Sequence, residues 1–184
     1  MRSPAAITVR ASWYAPERVI LYFIGLTWWG VWAVFQSRGV DYRFLAVGAL
    51  VPLGMDIAVG HWAFGHTLAA AAVVMIVVMV AQRSRLGQRR WLGIPIGMLA
   101  HLLLDGVWGD QAVFWWPALG ADWGNHPLVP GVTLLVVREL IGLLACVAFY
   151  KQFGLSDTVA RRTFLTTGMV SRRPTPRQGN PPKR

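Results

Sequence analysis

The chain has 184 residues, 55% of them hydrophobic and only 14% charged, with a mean hydropathy of +0.45. A soluble domain averages about 45–50% apolar and about 25% charged residues, so the excess apolar surface has to face something other than water. The net charge of +10 is clustered, which fits an anionic membrane leaflet better than specific nucleic-acid binding, and the single Cys146 excludes an intrachain disulfide and a cysteine-based zinc site.

In chain order, residues 1–18 form a polar, basic N-terminal segment. Five apolar runs follow: Val19–Phe35, Phe44–Gly60, His66–Gln82, Leu92–Trp108 and Leu128–Tyr150. Each is close to the ~20 residues that a helix needs to cross the hydrocarbon. No small-residue cleavage pattern follows the first run, which therefore reads as a retained helix. The expected fold is all-α, a polytopic membrane helix bundle of about five transmembrane helices over residues 19–155. Residues 156–184 read as a basic, disordered cytoplasmic tail.

Charge sets the expected orientation. Four arginines fall within Arg83–Arg90 and eight of the eighteen Lys and Arg lie from Lys151 onward, so that loop and the tail are expected in the cytoplasm. The loop Gly109–Pro127 carries Asp110 and Asp122 without Lys or Arg and suits the outer side. Five spans then put the N-terminus outside, against the pull of Arg2, Arg10 and Arg18. Ten tryptophans, among them Trp115 and Trp116, suit membrane–water interfaces, and Gly93–Gly97 suits close helix packing.

The informative residues are those that a membrane helix should avoid: Asp56, His61, His66, His101, Asp105 and Glu139. An ionisable group at bilayer depth is costly unless it is paired, hydrated or metal-bound. His101 and Asp105 stand four apart and share one helix face. Asp56, His61 and His66 are spaced by five, ~140° apart on one helix, so a turn near Gly60–Gly65 is needed to bring them together. Measured from their cytoplasmic entries, Asp56 lies ~20 Å deep, His101 ~16 Å and Asp105 ~22 Å, while Glu139 lies ~16 Å from the opposite end of the last run. These depths converge on one level.

Two or more histidines with carboxylates make a nitrogen–oxygen ligand set for a divalent metal, with Zn²⁺ the first choice and Mn²⁺ or Fe²⁺ the alternatives. His61, His66, His101 and Asp105 are the candidate ligands, with His126 a lesser one. Asp56 and Glu139 are the candidate catalytic carboxylates that take a proton from water. Arg138 can neutralise a phosphate or pair with a carboxylate, but it cannot face one site squarely together with Glu139.

The segment His61-Trp62-Ala63-Phe64-Gly65-His66-Thr67-Leu68, the set Gly97, His101 and Asp105, and the pair Trp116-Pro117 occur in a recognisable order. With Met55-Asp56-Ile57-Ala58 upstream, the chain resembles the LexA-binding, inner-membrane-associated metal-dependent hydrolases from Asp56 to Pro117. Ala58 stands where that family has a second Asp, and Trp62 where it has Arg. The resemblance implies a hydrolase of the bacterial cytoplasmic (inner) membrane, acting on a lipid or other phosphoester with a divalent metal. Two other functions fit the same residues, a proton- or ion-coupled membrane carrier and a non-catalytic membrane adaptor. The expected partners are membrane lipids and the phosphoester substrate; no surface for a protein partner is legible.

Overall fold

The structure is a computed structural model that describes residues 19–36, 39–59, 64–120 and 132–170; of Asp56, Ile57, Val59 and Val132 it describes the backbone alone. The described residues form α1 (Ile20–Phe35), α2 (Tyr42–Val59), α3 (Leu68–Ala81), α4 (Arg85–Trp91), α5 (Gly93–Asp105), α6 (Gln111–Phe114), α7 (Val132–Gln152) and α8 (Thr158–Thr167), with short 3₁₀ turns at Phe64–His66 and Val107–Gly109. Helix starts carry polar caps. The hydroxyl of Thr67 accepts from the Ala70 amide, that of Ser84 from Gly87, and the Asp157 carboxylate from Ala160. Helix ends fall on left-handed residues, Gly106 after α5 and Gly168 after α8.

Glycine decides which helices approach most closely. A side chain added at Gly48 would overlap the backbone of Ile94, and one at Gly97 would overlap Leu45 and Ala49. Contacts of residue 48 with 94 and of 49 with 97 show that α2 and α5 run parallel at backbone contact. A second parallel pair, α1 and α7, is built the same way. There Gly25 meets Gly142, whose own side would overlap Leu21 and Tyr22, and the Trp29 indole donates to the Ala145 carbonyl at 2.8 Å. Small residues that admit a neighbouring backbone are how helices pack where no water drives them together. On the other side of α5, Ala70 and Ala71 of α3 pack on Met98.

These directions bring the C-termini of α1, α3 and α7 to one end of the bundle, with the N-termini of α2 and α5. Arg43, Arg83, Arg85, Arg89, Arg90, Lys151, Arg161 and Arg162 all lie at that end; of the described Lys and Arg, only Arg138 lies elsewhere. The basic end has its own core of Tyr42, Leu45, Phe149, Phe153, Leu155, Phe164 and Val170. It is tied by the bidentate pair between Arg43 and Asp41 (2.8 and 3.1 Å), by Arg90 on the same carboxylate at 3.3 Å, and by Arg43 Nη1 donating to the Leu165 carbonyl at 2.7 Å.

One expectation is corrected. The chain from Ser156 is not a disordered tail as far as residue 170: α8 is folded, because Phe164 and Val170 are buried against the ends of α1, α2 and α7. Residues 171–184 lie outside the described residues. All five predicted apolar runs contain a helix, and among the described residues Thr133–Gln152 is the one long and apolar enough to cross a membrane. The helices of the third and fourth runs are shorter than the runs themselves. Leu92 separates α4 from α5, Gly106 ends α5, and the Phe64–His66 turn precedes α3. At 14 and 13 residues, α3 and α5 reach roughly 20 Å, against a hydrocarbon thickness of roughly 30 Å.

Gly97→Leu must push α5 off α2, with an expected loss of at least about 3 kcal/mol in detergent unfolding. Gly30→Ala, where a side chain meets nothing, should leave the melting temperature unchanged or raised.

Candidate metal centre

The close approach of α2 and α5 sets the position of the first ligand. Gly93, Gly97, His101 and Asp105 recur every four residues along α5, so the face that touches α2 through its glycines carries the histidine one turn further on. Nδ1–H of His101 donates to the Ala49 carbonyl at 2.7 Å. That bond fixes the ring and the tautomer and leaves the Nε2 lone pair free to act as a ligand. The Phe23 ring stacks on the imidazole at 3.9 Å and 21°, closing its other side.

The second ligand comes from the turn between α2 and α3. Phe64–His66 forms a single 3₁₀ turn, held when the Thr67 hydroxyl donates to the Phe64 carbonyl at 2.8 Å and accepts from the Ala70 amide at 3.0 Å. Gly65 packs against Pro52 and Met55, on which a larger residue before His66 would press. His66 Nε2 then lies 3.3 Å from His101 Nε2 and 3.5 Å from Asp105 Oδ2.

The three donor atoms all lie within 4.8 Å of one another. A tetrahedral ion bonded at about 2.0–2.1 Å spaces its donors about 3.3 Å apart, and two of the three separations already have that length. The residues therefore fit a divalent metal in donor chemistry and in spacing. The two histidines are 1% exposed, whereas the Asp105 and Arg138 side chains are 18% and 22% exposed. Access is from the carboxylate side. There Arg138 Nη1 stands 3.6 Å from Asp105 Oδ1, and its guanidinium lies 5.4 Å from the centre of the Tyr22 ring.

Of the residues singled out in the sequence, His66, His101 and Asp105 come together. His61 lies outside the described residues, as does His126, and Asp56 is described only as backbone near the end of α2. Glu139 does not join the cluster. Its carboxylate accepts from the amides of Ile20 and, at 2.9 Å, Leu21, the first two residues of α1. Val19 gives that helix no side-chain cap and its first turn holds no acidic residue, so Glu139 supplies the negative charge that its positive end favours. Arg138 and Glu139 thus diverge as helical spacing requires, one toward Asp105 and the other toward α1. The Ala49 carbonyl and Phe23 were not legible as site groups, since a backbone oxygen and an apolar side chain carry no sequence signal. No protein-family model, curated protein or solved structure matches the chain, so the hydrolase resemblance rests on its motifs alone.

Glu139→Gln should lower detergent stability by about 1–2 kcal/mol through the weakened cap of α1. It should leave the bound-metal content of purified protein unchanged; a loss of metal would return Glu139 to the site.

Proposed function

We propose that the protein is a membrane-embedded, metal-dependent hydrolase of the bacterial inner membrane, acting on a lipid or other phosphoester. The convergence of His66 Nε2, His101 Nε2 and Asp105 Oδ2 carries this reading. Membrane insertion is supported by the exposed apolar surface. A core helix hides its side chains, but only 17% of the apolar window in Thr133–Gln152 is buried, and α3 exposes Val73, Ile76, Val77 and Val80. The shorter helices would complete a bundle of about five spans, with the basic end in the cytoplasm. The candidate ligands would then lie toward the outer face.

Zn²⁺ suits the donor set best, and Mn²⁺ or Fe²⁺ also fit it. When bound, such an ion supplies Lewis acidity toward a phosphoryl oxygen and a water nucleophile near neutral pH. The chain's own residues do the rest. His101 is held by Ala49, His66 by its capped turn, and Asp105 closes the triad from one turn below His101. Asp56 follows Ala49 by seven residues on α2. It is the carboxylate assigned to accept a proton, and His61 is assigned to complete or orient the ligand set.

Elemental analysis of detergent-purified protein should find one Zn or Mn per chain, and almost none in His101→Ala or Asp105→Asn. The native protein should cleave a chromogenic phosphodiester and lose that activity on chelation. A metal-free native protein with an intact helical fold would contradict the proposal.

A further inference from the structure

We infer that Arg138 determines substrate specificity at this site by binding an oxyanion of the phosphate class beside Asp105. This inference rests on the metal-centre reading above.

Arg138 is the one described cation away from the basic end, so it does not serve the charge asymmetry that orients the chain. A guanidinium within an apolar bundle is costly unless its charge is used. The same molecule shows what a purely structural Arg–Asp pair looks like. Arg43 grips Asp41 with two hydrogen bonds, at 2.8 and 3.1 Å. Arg138 instead stands 3.6 Å from Asp105 and makes no hydrogen bond among the described residues. Its planar fork of donors is left open on the accessible side of the centre, steadied by the Tyr22 ring.

Charge points the same way. Glu139, the adjacent carboxylate, is committed to the start of α1. With neutral imidazoles as ligands, the three positive charges of a divalent ion and Arg138 exceed the two negative charges of Asp105 and the assigned base Asp56. That excess positive charge at a largely buried site favours an anionic substrate over a neutral ester or amide. Phosphate oxygens match the guanidinium fork while a further oxygen of the same group reaches the metal.

The test uses the full-length protein in detergent, loaded with Mn²⁺, with inorganic phosphate as the probe. Paramagnetic broadening of the ³¹P signal reports phosphate beside the metal. Native protein should broaden it saturably. Arg138→Gln should keep its Mn²⁺ and weaken phosphate binding by about tenfold or more, while Arg138→Lys recovers part of the loss. Displacement of phosphate by dihexanoyl phosphatidic acid would identify a lipid headgroup as the source of the anion, and phosphate binding without displacement a free phosphate; either supports the inference. Equal broadening by native protein and a Mn²⁺-loaded, folded Arg138→Gln would overturn it and leave the metal centre standing. Native protein that takes up no Mn²⁺, Zn²⁺ or Fe²⁺ would overturn both. Should Arg138→Gln not fold, Arg138→Lys decides, since an unchanged affinity there removes the role of the fork.

Discussion

The hydrogen bond from His101 to the Ala49 carbonyl depends on α2 and α5 lying at backbone contact, and the candidate centre depends on that bond. Gly48, Gly93 and Gly97 permit the approach because a side chain at any of them would press on the partner helix. Once the helices meet, His101 has one direction in which its Nε2 can point. His66 meets it there because Thr67 and Gly65 hold the preceding turn against α2. One packing constraint thus propagates from glycine spacing to ligand geometry.

The remaining polar groups are distributed so that charges at depth are engaged. Asp105 joins His66 to Arg138, linking the turn before α3 with α5 and α7, while Glu139 stabilises the uncapped start of α1. Asp41, Arg43 and Arg90 do the corresponding work at the basic end, where they fasten α8 to the start of α2. The two ends differ in kind. The Asp41 cluster is a closed set of short contacts, whereas the Asp105 cluster has longer contacts and an accessible edge.

Much of this was legible in the sequence where local physics decides. The five apolar runs hold the main helices, and the four-residue spacing of His101 and Asp105 placed them on one face. Of the turn expected near Gly60–Gly65, the described part at Phe64–His66 delivers His66. Depth along a helix gives a residue's level but not its direction, which is why Glu139 was taken for a catalytic carboxylate of the site although it points to α1. Apolar runs also merge helices with their breaks, so Leu92 and Gly106–Trp108 were counted within one span. The segment 156–170 was read as disordered together with the tail that follows it, which is basic and has few apolar residues late on, while its docking depends on a few residues such as Phe164. Asp41 was passed over because Arg90, one of its two partners, is distant in sequence.

The reading depends on one ion being shared by two imidazoles and a carboxylate. X-ray absorption at the metal edge of the purified, native-loaded protein tests that most directly. The account predicts a first shell of nitrogen and oxygen at about 2.0–2.1 Å, with the outer-shell scattering of two imidazoles. A shell of oxygen alone without imidazole scattering, or one containing sulfur, would contradict it.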